Sequence, residues 1–124
     1  MKLYRVMKVA ADGKPLVGTS GSMLGIRPTD PNNTNPSAVA DVAAVDDADL
    51  VTPGEGLSTS PNPNPRQPRR NQAIFEIETD DIGPDLKPNH DKPNHCLLEP
   101  VRPMTLGEYQ QALADTRDLW QQVQ

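Results

Sequence analysis

The stretch HCLLEPVRPMTLGEYQQAL, from His95 to Leu113, decides the fold class, because within it the apolar pattern changes from that of a strand to that of a helix. His95 to Val101 carries a short apolar centre, Cys96-Leu97-Leu98, and reads as a strand. Thr105 and Glu108 then stand at the spacing of a capping box, in which the threonine hydroxyl accepts the backbone N–H three residues on and the glutamate reaches back. Beyond them Leu106, Tyr109, Leu113, Trp120 and Val123 recur on one face, with Gln110, Gln111, Asp115 and Asp118 off it. The pattern predicts one helix from Leu106 to Val123, packed on a sheet.

Working outward, Ala73 to Thr79 is the clearest strand: Phe75, Ile77 and Thr79 alternate with Ile74, Glu76 and Glu78. Asp80 to Asn94 contains Gly83-Pro84, Lys87-Pro88 and Lys92-Pro93 and reads as a connection. At the start of the chain, Lys2 to Val9 alternates with Leu3, Arg5, Met7 and Val9 on one face, so Arg5 points the same way as apolar residues. Asp12-Gly13 supplies a turn, and Pro15 to Pro28 reads as loop with at most a short strand. Pro28 to Pro36 is polar, and Ser37 to Leu50 suits a short helix or irregular chain, so the region reads as a surface insertion. Gly54 to Ser60 suits a brief strand, and the four prolines between Pro61 and Arg70 require an extended loop. Strands followed by one helix, without internal repeats, predict an α+β fold: a single domain over 1–124 with a loop-rich segment at about 28–72.

Composition narrows the function classes. Apolar residues are 35% of 124, and Tyr4, Phe75, Tyr109 and Trp120 are the only aromatics, so the core is thin and the stability margin small. A net charge of −5 spread along the chain favours solubility and leaves no footprint for nucleic acid. Cys96 is alone, so no internal disulfide forms and a cytosolic setting is natural. Lys8 and Asp12 interrupt any signal-peptide core, and no run approaches the ~20 apolar residues of a membrane span. His90, His95 and Cys96 lack a fourth ligand and an aligning helix, which argues against a metal site.

Three stretches, LYRVMKVAADGKPL (3–16), GEGLSTSPNPNP (54–65) and IGPDLKPNHDKPNHCLLEPVRPMTLGEYQQAL (82–113), together resemble the type VI secretion exported effector two family. That resemblance implies an ADP-ribosyltransferase-like fold of split antiparallel β-sheets and a C-terminal helix. It further implies a toxin with NAD as substrate, secreted without a signal peptide, that arrests growth from the cytoplasm of a rival cell. A cognate immunity protein, and proteins of the secretion apparatus, are the implied partners. Through the family, Arg5 corresponds to the arginine on the dinucleotide's phosphates, Ser58-Thr59-Ser60 to the strand bracing the nicotinamide side, and Glu99 to the late-strand carboxylate. The implied catalytic set is therefore Arg5, Thr59, Ser60 and Glu99.

The residue types suit that chemistry. Guanidinium pairs bidentately with phosphate. A carboxylate facing the oxocarbenium-like ribose stabilises the transition state more than the ground state. Serine and threonine hydroxyls both donate and accept, so Ser58, Thr59 and Ser60 can fix the sugar, and His95 can support the nucleotide by a hydrogen bond. Leu97 stands two before Glu99, where enzymes modifying protein side chains carry Gln or Glu, so a protein acceptor is not implied. On this reading Arg5→Ala removes a phosphate anchor and leaves folding nearly intact. The alternative is a non-enzymatic interaction module whose proline-rich segment offers an extended ligand to a partner groove. Arg66, Arg69 and Arg70, the only basic cluster, read as part of a solvated loop open to an acidic inhibitor.

Overall fold

A computed structural model describes residues 1–123. In chain order its elements are β1 (Lys2–Lys8), β2 (Leu50–Val51), β3 (Leu57–Thr59), β4 (Gln72–Glu78), β5 (Leu86–Lys92), β6 (His95–Pro100), β7 (Met104–Thr105), the helix α1 (Leu106–Asp115) and β8 (Gln121–Gln122). Two single 3-10 turns, Thr79–Asp81 and Arg117–Leu119, complete them. The strands form three antiparallel sheets, ordered β1-β4-β8, β2-β7 and β3-β6-β5. The expected α+β class, with antiparallel sheets and one helix near the C-terminus, is what the chain adopts.

Alternation explains the first sheet. Leu3 lies opposite Ile77 and Arg5 opposite Phe75, so Leu3, Arg5 and Met7 of β1 share a buried face with Phe75 and Ile77 of β4, while Val6, also buried, points to the other side. In the other large sheet Leu57 faces Leu98 and Thr59 faces Cys96, all buried. These two sheets are joined by one backbone bridge among the described residues: Tyr4 N–H donates to the Ser60 carbonyl (2.8 Å) and Ser60 N–H to the Tyr4 carbonyl (2.9 Å).

The capping box forms as the sequence predicts: Glu108 N–H donates to the Thr105 hydroxyl and Thr105 N–H to the Glu108 carboxylate, both at 3.1 Å. It starts the helix so that Tyr109 points at β3 and β6. The Tyr109 hydroxyl accepts from Leu57 N–H (2.9 Å) and donates to the Leu98 carbonyl, splicing the side chain into the ladder. Gly56 makes room for it, since a Cβ there would lie 2.5 Å from the Leu98 carbonyl oxygen and 2.8 Å from the Tyr109 hydroxyl.

Three expectations need correction. The helix does not run to Val123 but stops at Asp115, because the Thr116 hydroxyl turns back onto the Leu113 carbonyl (2.6 Å) and takes up the Trp120 indole N–H (3.0 Å). Trp120 is still fully buried, yet it arrives from extended backbone that leads into β8. Asp80 to Asn94 is more than a connection: it contains β5, and Pro88 is tolerated because β5 is an edge strand paired only with β6. The region from Ser37 to Leu50 forms no helix, and it is no mere surface insertion. Val42 and Ala44 belong to the core, held by Asp41 accepting from Arg27 N–H (2.7 Å) and by the Thr29 hydroxyl on the Val42 carbonyl (2.8 Å). No helix of the described residues is long and apolar enough to cross a membrane.

Exposed carboxylates tie the periphery together. Arg117 holds Asp12, the Asp46 and Val45 N–H groups hold Asp49, the N-terminal ammonium holds Glu78, His95 holds Asp91, and Thr105 holds Glu108, each below its ordinary value of 3.8 or 4.5. A depressed folded pKa means that the unfolded chain binds more protons, so this stability is present above the ordinary values and is lost as pH falls through the folded ones. The melting temperature is therefore expected to decline as pH drops below about 4.5. A profile still level at about pH 3 would show that these contacts contribute nothing.

Candidate functional site

Where β1 and β3 meet at the Tyr4–Ser60 bridge, a cleft of about 540 Å³ opens. Tyr4, Arg5 and Val6 line it from β1, and Ser58, Thr59 and Ser60 from β3 and its end. Gly21 comes from the preceding loop, Asn62, Pro65 and Arg66 from the proline-rich loop, and Asn94 and His95 from the β5–β6 hairpin. Among the described residues no carboxylate lines the cleft, while two guanidinium groups do, in a chain of net charge −5. Such a cleft concentrates anions.

Arg5 points inward, as alternation requires, and is only 8% exposed. Its Nε donates to the Met23 carbonyl (3.3 Å), Nη2 to the carbonyls of Met23 (2.9 Å) and Gly21 (3.1 Å), and Nη1 to that of Ser58 (2.8 Å). Burial lowers its pKa to about 10, so it stays charged at neutral pH. The loop that supplies the Gly21 and Met23 carbonyls closes through Gly25, at φ +153°, where a Cβ would lie 1.7 Å from the Gly18 carbonyl oxygen.

The Ser58-Thr59-Ser60 segment is well fixed. Ser58 gives its carbonyl to Arg5, and the Thr59 hydroxyl donates to the Cys96 carbonyl (2.7 Å). The Ser60 hydroxyl accepts from Asn62 N–H (3.0 Å), turning the chain into the proline-rich loop. Asn94, at φ 59°, takes the left-handed position of the β5–β6 turn and so brings His95 to the cleft. There the His95 Nδ1 bonds the Asp91 carboxylate, which fixes the ring and leaves Nε2 as its other nitrogen.

Glu99 lies elsewhere. It is 4% exposed, four residues along β6 from His95 and thus ~13 Å away on an extended strand. Its carboxylate accepts from Gly54 N–H (2.8 Å) and the Asn89 amide (3.0 Å), with the Lys87 ammonium at 3.5 Å. The cleft therefore brings together Arg5, Ser58, Thr59, Ser60 and His95 and does not include Glu99. It adds Tyr4, Asn62, Arg66 and Asn94, which the sequence reading did not place in a site; the position of Tyr4 beside Arg5 on one strand was the available signal. Among the described residues no three His, Cys, Asp or Glu side chains converge as a metal ion would need.

These features define a small α+β domain of split antiparallel sheets with an anion-attracting cleft at the split. The chain belongs to the Tse2 ADP-ribosyltransferase toxin family, whose model matches residues 1–120. No curated protein and no solved structure matches it.

Proposed function

We propose that the cleft at the β1–β3 junction binds NAD and that the domain arrests growth of a target cell from its cytoplasm by transferring ADP-ribose. A cognate immunity protein restrains it in the producer, and secretion-apparatus proteins carry it to the target cell. The observation that carries the reading is a cleft lined by two arginines and, among the described residues, by no carboxylate, in an acidic chain. Its volume lies within the range of about 300–1,000 Å³ usual for small-molecule sites.

In this reading the nicotinamide–ribose bond breaks with its electron pair leaving on nicotinamide, and the cationic ribose carbon is captured by a nucleophile. The nucleophile's proton passes to His95 Nε2, whose ring is set by Asp91. Ser58, Thr59 and Ser60 brace the sugar from one wall, and the Arg5 charge favours the phosphates. Glu99 serves from outside the cleft, holding the Gly54 turn and β5 against β6; a direct catalytic role would require this carboxylate to leave three donors.

The test is ligand-linked stability. NAD is expected to raise the melting temperature of the isolated protein by several degrees when present at about 100 times its Kd. No shift at millimolar NAD, with the fold shown intact by circular dichroism, would refute the reading and favour an interaction module built on the proline-rich loop.

A further inference from the structure

Both arginines of the cleft are charged, but their donors are differently committed. Arg5 places four of its five N–H groups on the carbonyls of Gly21, Met23 and Ser58, leaving one on Nη1. A bidentate grip on phosphate needs two parallel N–H groups from one guanidinium fork, and on Arg5 no such pair is open. Arg66, exposed on the loop between Ser60 and β4, makes a single side-chain hydrogen bond to the described residues, from Nη1 to the Gln72 amide oxygen at 3.3 Å. No carboxylate among the described residues lies within 4.0 Å of it. Both Nη2 hydrogens and Nε therefore meet no acceptor among the described residues.

The loop holds Arg66 in place over the cleft. Its start is fastened by Asn62 N–H on the Ser60 hydroxyl (3.0 Å), and its end by Arg69 N–H on the same Gln72 oxygen that Arg66 meets (3.0 Å). Charge repulsion between Arg66 and the buried Arg5 contributes to the lowered basicity of Arg5. An anion between them removes that repulsion.

We propose that Arg66 is the residue that grips the pyrophosphate of the dinucleotide, and that Arg5 is a positioning residue that sets the shape and field of the cleft. This assignment rests on the NAD reading above. It departs from the correspondence implied by family resemblance, in which Arg5 holds the phosphates.

The experiment is calorimetric titration of the full chain with NAD and, separately, with inorganic pyrophosphate, for the parent, Arg66→Ala, Arg66→Lys and Arg70→Ala. Arg66→Ala is expected to weaken NAD about ten- to hundredfold, the range for losing charge-assisted hydrogen bonds, and to weaken pyrophosphate as well. Arg66→Lys should recover part of the loss. Arg70→Ala, on the same loop but not lining the cleft, should stay within about twofold, and urea unfolding of all three variants should match the parent. A parent that binds NAD with Arg66→Ala within twofold of it, or with Arg70→Ala equally impaired, overturns the Arg66 assignment and leaves the NAD reading standing. A parent that binds pyrophosphate through Arg66 but not NAD refutes the NAD reading and keeps Arg66 as an anion-binding residue, and one that binds neither overturns both.

Discussion

Arg5→Ala is expected to destabilise the folded domain by about 2–4 kcal/mol, because buried carbonyls lose the charged donor that satisfies them. The side chain is 8% exposed and joins three backbone carbonyls from two segments, the Gly21–Met23 loop and β3. Removing it strands those acceptors at about 1–3 kcal/mol for each that water cannot reach, while relief from burying a cation offsets part of the loss. Against a total stability of about 5–15 kcal/mol for a domain, and with a core this poor in aromatics, the change is large. Urea denaturation would show it as a lower midpoint with an unchanged slope. Arg5→Lys keeps the charge but not the planar fork, so it should fall between the variant and the parent. Equal midpoints for Arg5→Ala and the parent would show that the carbonyl network stabilises nothing. Loss of toxicity in Arg5→Ala therefore identifies a ligand contact only if the variant is first shown to be folded, contrary to the expectation from sequence that folding would be nearly unaffected.

The parts of the fold legible in the sequence are those specified by neighbouring residues. The period-2 alternation of β1 and β4 and the apolar centre of β6 gave strands, and Thr105 with Glu108 gave the start of α1, because strand faces and capping boxes are local. Where long-range contacts decide, local signals misled. Pro88 argues against a strand until β5 is known to lie at an edge, and Val42 and Ala44 look like surface residues until Arg27 and Thr29 fasten their loop over the core. The site divides the same way. The inward direction of Arg5 follows from alternation, but the fate of its donors depends on carbonyls 16 to 53 residues away. Glu99 has a residue type suited to the chemistry, yet its partner Gly54 lies 45 residues upstream and holds it outside the cleft. Arg66 was visible as part of a basic cluster; its place at the cleft depends on Ser60 and Gln72 fastening a loop whose prolines only say that it is extended.

Trp120→Ala is expected to cost about 3–5 kcal/mol, the usual loss for truncating a fully buried large aromatic. Trp120 is fully buried, and the chain just beyond it pairs with β4, with Gln122 opposite Phe75 and Val123 N–H on the Ile74 carbonyl at 2.8 Å. Loss of the ring thus removes core volume and the anchor of the edge strand β8. As the only tryptophan, it cannot report its own removal by fluorescence, so circular dichroism in urea is the appropriate measurement. Burial alone does not separate the observed turn at Thr116 from the continuous helix that the apolar spacing suggested, since both bury Trp120. Thr116→Ala does, by its sign. In a continuous helix alanine replaces a weaker helix former and stabilises by a few tenths of a kcal/mol. In the observed arrangement it deprives the buried indole N–H of its acceptor and removes the hydroxyl that ends the helix on the Leu113 carbonyl, which costs about 1–3 kcal/mol. A Thr116→Ala protein with a lower urea midpoint places Trp120 in the core by way of the turn; one with a higher midpoint means that the helix runs on through the segment assigned to β8, and the pairing with β4 would have to be abandoned.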